Sequence, residues 1–593
     1  MPVTAMCTPT FPVNSATTTP CCKTANAGRG AHHDVLARSL GGVISGEHGI
    51  GITKLEFLTD DEIRAVPANT KQRIDPEGRF NQRQAVARRR FARMPTRPRS
   101  RLLGSRIADS WSERTSARFP IRSRDCLRCG KCKPVCSTHV PRANLLYSPR
   151  DKILGTSLLI EAFLYEEQTR RGISLQHFDE FSDVADHCTV CHRCLKPCPV
   201  DIDFGDVSVA MRNFLRKQGK KKFNPGTFAS MTFLNLKDPR TIKLLRAGMM
   251  DFGFKAQRLA HKAFKALGLI QETRAHPPAS VGKPSIKAQV IHFMNRPMPG
   301  NLPKRTSRGL LDIEDDKVIP VIRNPQKTME DSDSVFYFPG CGSERLFSQV
   351  GLATQAMLYE VGTTTVLPPG YLCCGYPQTS AGEEDKGQKI IMDNRVLFHR
   401  MANTLNYLDI KTVIVSCGTC MDQLQKYEFE KIFPGCRLLD IHEYLMEKGV
   451  KLDGLSGTRY MYHDPCHTPM KTYAPLAVTN TLMGQEVPLS DRCCGDAGSF
   501  AYARPDIATQ VKFRKQEEVV KGAAQLREDG FTGEVKILTS CPACLQGLSR
   551  YDDDANTQAD YIVVEIAKAL LGPDWMPDYV RRANAGSIER VLL

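Results

Sequence analysis

Eighteen of the 22 cysteines in this 593-residue chain stand at spacings suited to metal binding. Eight form two groups, Cys126-x2-Cys129-x2-Cys132-x3-Cys136 and Cys188-x2-Cys191-x2-Cys194-x3-Cys198, the second followed by Pro199. Three cysteines at three-residue spacing wrap the chain around one face of a 4Fe–4S cube, and the fourth, beyond the turn, points away to a second cube. The pattern therefore assigns Cys126, Cys129, Cys132 and Cys198 to one cluster, and Cys188, Cys191, Cys194 and Cys136 to the other. Thiolate is the ligand that suits this chemistry. Two cysteines separated by two residues are also zinc spacing, but the full four-cysteine pattern, twice, once with proline, argues for iron and sulfide. Ser137 stands where the first motif would ordinarily carry proline. Proline is not a ligand, so the assignment does not change.

Ten more cysteines recur as a repeat. SVFYFPGC, ending at Cys341, matches RYMYHDPC, ending at Cys466; LCCGYPQTSAG (Cys373, Cys374) matches RCCGDAGSFAY (Cys493, Cys494); VIVSCGTC (Cys417, Cys420) matches ILTSCPAC (Cys541, Cys544). Adjacent thiolates repel each other unless cations neutralise them, so each Cys-Cys pair points to a metal, and Gly375 and Gly495 let backbone approach closely. Zinc in one or both copies stays open, because four thiolates satisfy a tetrahedral site. A redox dithiol at Cys417/Cys420 or Cys541/Cys544 stays open too. The spacing does not decide whether both copies hold a cluster. His463, Asp464 and His467 flank Cys466; they could tune a metal's surroundings or deliver protons, and the plainer reading is a hydrogen-bonded strand end. Cys436 reads as structural, and Cys7, Cys21 and Cys22 belong to a start without pattern.

The elements that must position these residues follow from the intervening sequence. A chain of 593 residues exceeds one core, since domains run to about 100–200 residues. From 333 to the end the repeat reads as two lobes, 333–455 and 456–593, each strand, helix, strand, helix, strand, helix, with β-branched and aromatic runs just before the cysteines. In such α/β units sites gather at the carboxyl ends of strands. Residues 123–222 form a helical domain around the first eight cysteines; the stretch ILGTSLLIEAFLYEEQTRRG between the two groups has apolar residues at helical spacing. A helical connector and linker spans 223–332. The expected fold is thus multidomain α/β, with an α-helical two-cluster domain and two pseudo-symmetric α/β lobes.

Upstream, 1–38 reads as unstructured, and 39–81 as folded, with a helix starting at Thr59-Asp60-Asp61-Glu62 and running toward Gln72. Residues 82–122 read as an Arg-rich linker. The net charge of +17 is concentrated there: residues 82–125 hold thirteen Arg, no Lys and three acids, hence +10. Such composition suits a solvated linker, and with almost no aromatic residues for base stacking it does not predict nucleic-acid binding. Apolar residues at 41% and charged residues at 24% suit a globular protein. No secretory leader and no stretch of about 18–20 apolar residues is evident. Dense cysteine without a leader points to metal chemistry in a reducing compartment, the cytoplasm.

Residues 123–222 resemble the two-cluster, helix-containing ferredoxin domain of iron–sulfur subunits of succinate dehydrogenase, glycolate oxidase and heterodisulfide reductase. Residues 333–548 resemble the cysteine-rich CCG domains of the heterodisulfide reductase and glycolate oxidase iron–sulfur families. That resemblance implies a noncubane 4Fe–4S cluster held by five thiolates per copy: Cys341, Cys373, Cys374, Cys417 and Cys420, then Cys466, Cys493, Cys494, Cys541 and Cys544. SGEHGIGITKLEFL and KQRIDPEGRFN, within 39–81, resemble the end of FAD-linked 2-hydroxy-acid dehydrogenases, where the Glu-His pair, here Glu47 and His48, helps bind substrate or a metal beside the flavin. The rest of that flavin domain is missing, so FAD is expected on a partner dehydrogenase domain or subunit, or on a missing upstream domain. The simplest expectation is the carboxyl-terminal part of a longer fusion. The resemblances imply an iron–sulfur electron-transfer module of a D-lactate or glycolate-type dehydrogenase, an oxidoreductase component passing electrons from flavin to an acceptor such as quinone. A peripheral position on the inner face of the cytoplasmic membrane would suit that acceptor. The alternative is a heterodisulfide reductase-like enzyme reducing a disulfide at a CCG cluster.

Overall fold

Parallel-strand crossovers, helices around two cysteine loops, and one antiparallel ribbon position the cysteines. The computed structural model describes residues 126–140, 147–168, 175–270, 285–300, 302–453, 457–496 and 500–593, all within one compact unit, Arg106–Leu593. The expectations for 1–38, 39–81 and 82–122, Glu47 and His48 included, lie outside the described residues.

The first region is helical. Pro149–Gln168 and Leu175–Asp186 lie between the two cysteine loops, and Phe204–Lys217 follows the second. Asp203 caps that last helix, its carboxylate accepting from the Gly205 N–H at 2.7 Å. Asp206 in the first turn and Arg216 and Lys217 in the last turn match the helix dipole. Val207, Met211, Phe214 and Leu215 form its buried stripe, and Phe214 meets Phe181 edge-on at 5.9 Å. Connector helices Pro225–Asn235 and Pro239–Arg246 each start with a cap, Asn224 and Asp238, followed by proline. Buried Arg246 donates to the Arg345 carbonyl at 2.7 Å, tying connector to first lobe.

The lobes hold two sheets. The strands are β1 Val318–Ile322, β2 Ser334–Phe338, β3 Thr364–Val366, β4 Ile410–Val415, β5 Arg437–Asp440, β6 Thr458–His463, β7 Leu489–Ser490, β8 Glu534–Thr539, β9 Gln558–Tyr561 and β10 Ile588–Leu592. The first sheet runs β10-β1-β3-β2-β4-β5 and the second β7-β6-β8-β9. The parallel cores β3-β2-β4-β5 and β7-β6-β8-β9 share one strand order. Each lobe has a fourth parallel strand, β5 or β9, beyond the three read from sequence. RLLD and QADY are short and half polar, which hides them from a search for apolar runs.

The expected boundaries shift at two strands. β1 falls in the stretch read as connector (223–332), and β10 in the stretch read as second lobe (456–593), yet both extend the first sheet. β1 pairs antiparallel with β3 and with β10, Val318 facing Leu592 and Ile322 facing Ile588. This ribbon covers the otherwise open edge of β3.

Strand alternation divides the two cores. Val335, Tyr337, Ile414, Tyr460, Tyr462 and Leu538 face one; Phe336, Phe338, Val413, Val415, Met461 and Ile537 face the other. Each core contains residues of both lobes, so the lobes share their apolar interior.

Candidate metal centres

The repeated cysteines stand where parallel strands end. β2 and β6 stop three residues before Cys341 and Cys466, and β4 and β8 stop two residues before Cys417 and Cys541. Cys417 and Cys541 then open helices Gly418–Leu424 and Pro542–Leu548, whose first turns carry Cys420 and Cys544. Gly375 (φ 88°) and Gly495 (φ 78°) take the left-handed conformation that turns each Cys-Cys pair inward.

Four hydrogen bonds hold these loops alike in both lobes. Tyr337 OH pairs with Ser416 Oγ at 2.7 Å, and Tyr462 OH with Ser540 Oγ at 3.1 Å. Tyr427 OH donates to the Cys374 carbonyl at 3.0 Å, and Tyr551 OH to the Cys494 carbonyl at 3.1 Å. The sequence reading missed these residues. The repeat spacing was their signal, since Ser416/Ser540 and Tyr427/Tyr551 are offset like the cysteines they support.

Side chains bring all ten repeated thiols into one unbroken run. In the first lobe Cys341 meets Cys373, Cys373 meets Cys374, Cys374 meets Cys420, and Cys420 meets Cys417. Cys417 meets Cys541 across the lobes. The second lobe then repeats the order in reverse: Cys541 to Cys544, Cys544 to Cys494 with sulfurs 3.5 Å apart, Cys494 to Cys493, and Cys493 to Cys466. Cys466 in turn meets Cys191 of the helical region. Ser137 Oγ stands between them, donating to Cys191 Sγ at 3.5 Å and lying 3.9 Å from Cys466 Sγ.

Such packing sets the protonation of the thiols against one another. Cys374, held by hydrogen bonds with Cys373 and Cys420, drops to a pKa of about 6. Cys373, despite its bond with Cys341, is pushed up to about 12 by its bond to Cys374 and by burial. Only cations within the run would let all these sulfurs carry charge together.

The helical region assembles the other eight. Cys126, Cys129, Cys132 and Cys198 line one small pocket with Ile153 and Phe204, the four that the spacing assigned to one cluster. Burial pushes Cys132 up to about 11. In the second set, the Cys136–Thr138 segment runs beside Cys188–Cys194: Cys136 Sγ pairs with Thr138 Oγ1 at 3.5 Å, which donates to the His187 carbonyl at 2.7 Å. Backbone N–H groups reach several sulfurs, Val190 to Cys188 at 3.4 Å, Ile202 to Cys198 at 3.3 Å, Phe204 to Cys194 at 3.4 Å, and Gly495 to Cys493 at 3.4 Å. N–H···S bonds of this kind support iron–sulfur ligands and raise their potentials. All-sulfur cradles with such donors fit 4Fe–4S clusters. Cys436 packs at the rim of the apolar core.

A cavity of about 1230 Å³ opens between the helical region and the lobes. Cys341, Cys374, Cys417, Cys466, Cys493 and Cys541 reach its wall, opposite the helix Pro225–Asn235. His467 fastens three parts of the molecule at its edge. Its Nδ1 pairs with the Asp422 carboxylate, and its Nε2 faces the Val190 carbonyl at 2.8 Å and Tyr376 OH at 3.0 Å. Tyr462 OH donates to Asp464 at 3.3 Å, and burial raises the Asp464 pKa. His463 is fully buried, with Nδ1 3.1 Å from the Ser490 carbonyl and 3.1 Å from Lys515 Nζ.

Four known domain types match parts of the chain. Residues 122–202 match the 4Fe-4S dicluster domain, 335–425 and 460–549 the cysteine-rich CCG domain, 22–85 the C-terminal domain of FAD linked oxidases, and 549–593 a domain of unknown function. A probable glycolate oxidase iron-sulfur subunit of Bacillus subtilis is 23% identical over 71% of this chain and 87% of its own length. One subunit of a fumarate reductase (CoM/CoB) of Methanothermobacter marburgensis is 24% identical over 64% of this chain and 71% of its own. A subunit of the dihydromethanophenazine:CoB–CoM heterodisulfide reductase of Methanosarcina barkeri is 22% identical over 75% and 92%. No solved structure gave a significant match. No helix among the described residues is long and apolar enough to cross a membrane. With its 4Fe–4S dicluster domain, two cysteine-rich CCG domains and a stretch like the end of the FAD-linked oxidases, the chain is an iron–sulfur electron-transfer protein related to the iron–sulfur subunits of glycolate oxidase and heterodisulfide reductase.

Proposed function

We propose that this chain relays electrons from a partner flavin dehydrogenase, acting on a 2-hydroxy acid such as D-lactate or glycolate, to an acceptor in the thiol-lined cavity. The observation that carries this reading is the unbroken run of sulfurs from Cys191 through Cys466 and Cys541 to Cys341. When bound, 4Fe–4S clusters supply one-electron relay sites. Cys126, Cys129, Cys132 and Cys198 would hold the outermost, since Cys129 is exposed; Cys136, Cys188, Cys191 and Cys194 would hold the next. The five thiols of each lobe would hold one more apiece. The protein's part is to fix these positions and tune them. Oxidation of the 2-hydroxy acid to the 2-oxo acid releases two electrons and two protons at the partner flavin. A quinone would take up two electrons and two protons at the cavity and leave as quinol.

Two features support a quinone at a membrane surface. The cavity wall is largely apolar, with Phe228, Met231, Phe233, Phe254 and Phe500 beside the thiols. Connector helices expose Leu244, Phe252, Leu259 and Leu267 among exposed Lys243, Lys255, Lys262 and Lys265. That pairing of apolar and basic side chains suits anionic lipid. The test is anaerobic purification with iron and sulfide analysis, then reduction of the chain by a flavin 2-hydroxy-acid dehydrogenase with a water-soluble quinone as acceptor. About sixteen iron per chain and quinone-dependent reoxidation are expected. Zinc without iron, or a chain that no flavin dehydrogenase reduces, overturns the reading.

One observation favours a second reading. Cys417 and Cys541 meet across the lobes at the cavity wall, so a substrate disulfide there would face sulfurs of both lobes and, with two electrons and two protons, be cleaved to two thiols. Disulfide reduction by the purified chain with a low-potential dye, at a rate unaffected by quinone, would establish it over the first.

A further inference from the structure

The repeat places different residues at the ends of its two first strands. Phe338 ends β2, and His463 occupies the same place at the end of β6. In the first lobe the Phe338 ring stands beside Cys420; a Cβ placed on Gly340 would lie 3.7 Å from that ring and 2.6 Å from Cys420 Sγ. In the second lobe a ring nitrogen of His463 and the sulfurs of Cys494 and Cys544, the counterparts of Cys374 and Cys420, all lie within 4.8 Å of one another. His463 is 0% exposed, and its Nε2 has no hydrogen-bond partner among the described residues. A buried polar nitrogen left unsatisfied in this way is destabilising, so the site calls for a partner that the polypeptide alone does not supply.

The other side of the ring fixes which atom carries the proton. Lys515 is fully buried and its ammonium can only donate; Nζ lies 3.1 Å from His463 Nδ1. Two of its three N–H groups go to Glu518 at 2.9 Å and Ser490 Oγ, and the third has Nδ1 nearer than the Ser490 carbonyl at 3.3 Å. A hydrogen on Nδ1 would set two donors face to face 3.1 Å apart, so Nδ1 accepts. A neutral imidazole that accepts at Nδ1 carries its hydrogen on Nε2.

We propose that His463 Nε2–H is a hydrogen-bond donor to the sulfurs of the cluster held by the second lobe, at Cys494 and Cys544, and that this contact makes the two lobes electronically unequal. The inference rests on the reading that both lobes hold clusters. His463 is a positioning and tuning residue and not a cluster ligand. Hydrogen bonds to cluster sulfurs raise the reduction potential, whereas Phe338 offers the first lobe none. The second lobe therefore holds an electron more readily than its thiols alone would dictate.

The experiment uses the full chain with its clusters, purified anaerobically, as wild type, His463→Phe and His463→Gln. Phenylalanine reproduces the first lobe, and glutamine keeps an N–H donor. Redox titration followed by electron paramagnetic resonance should show one lobe signal shifted to lower potential in His463→Phe by at least about a tenfold change in the reduction equilibrium, about 59 mV for one electron. Iron and sulfide content should be unchanged, and His463→Gln should recover most of the shift. With 15N-histidine label, the wild type should show a weak nitrogen coupling that His463→Phe lacks. An unmoved potential at full iron content overturns the inference alone, and so does a strong coupling from a direct iron–nitrogen bond. A wild-type iron content of only about eight per chain overturns the cluster reading of the lobes, and this inference with it. If His463→Phe loses iron, His463→Gln and the labelled wild type decide the matter by the same criteria.

Discussion

The two lobes share a strand order, a set of five thiols and the tyrosine bonds that brace them, yet they occupy different places in the molecule. In the second lobe Cys466 touches Cys191, and Arg514 on the helix Pro505–Gln525 donates to the His139 carbonyl at 2.8 Å, beside Cys136. The first lobe also docks on the helical region, through Arg212 to the Ser380 carbonyl at 2.6 Å and Arg216 to Glu383 at 3.2 Å. No thiol contact accompanies that docking among the described residues. The lesson is that a repeat can fix the geometry of a site while unrepeated neighbours decide its role. The second lobe abuts the cysteines of the helical region, and the first lies at the far end of the sulfur run.

Removing the first cysteine of each lobe should have the largest effect. Cys466→Ser should stop reduction of both lobes after the dicluster domain is reduced, an effect beyond the about 10–100-fold cost of losing a ligand's support. Cys341→Ser should leave the second lobe reducible. Freeze-quenched paramagnetic resonance reads both, and equal behaviour of the two variants would mean that the lobes receive electrons independently.

The docking contacts should differ next. Arg504, buried at 2% exposure, pairs with Asp183 at 2.8 Å and Asp506 at 2.9 Å. Removing it as Arg504→Ala takes the cation from buried Asp506 and part-buried Asp183 and should cost about 3–5 kcal/mol. Arg216→Ala, at the half-exposed pair with Glu383, should cost about 0–1 kcal/mol. Urea unfolding of the cluster-loaded chain measures the gap. Burial works against the charge of Asp183, but bonds from His187 and Tyr147 and the Arg504 charge hold its carboxyl below the usual range. A lowered native value means that this stability is complete above about pH 4 and is lost as pH falls through it. Arg504→Ala should flatten that acid limb.

The smallest effect tests what the lobes share. Tyr337→Phe and Tyr462→Phe each remove the hydrogen bond to the serine before a Cys-x2-Cys pair, and Tyr462→Phe also removes the longer bond to Asp464. The serine bond should cost about 1 kcal/mol in each lobe, with a smaller addition in the second from Asp464. A cost confined to one lobe, read by the same unfolding curves, would show that the braces are not equivalent.

Much of the site was legible because thiol spacing is a local property. Three-residue spacing selects three of the four cysteines of the first pocket and the place after the turn in the second motif selects Cys198, and strand ends followed by Cys-x2-Cys place thiols at the carboxyl edges of both sheets. What remained hidden depends on partners distant in sequence. β5 and β9 are too short and polar to announce themselves, and β1 finds its place only by pairing with β10, at the other end of the chain. His463 is likewise ambiguous in sequence, where a strand-end histidine is commonly a hydrogen-bonded structural residue. Nδ1 does face such partners; Nε2 has none among the described residues, and a ring nitrogen lies within 4.8 Å of the Cys494 and Cys544 sulfurs.

Ligand chemistry and the helical character of the dicluster region are written in spacing over a few residues, and the twofold repeat in strings that recur some 120–125 residues apart. Folding alone brings Cys417 to Cys541 and Cys191 to Cys466, and sets His463 beside Cys494 and Cys544. Those contacts arise from two sheets sharing their apolar cores and from a third region docking against them. Burial of side chains far apart in the chain fixes such neighbours, and no local pattern encodes them.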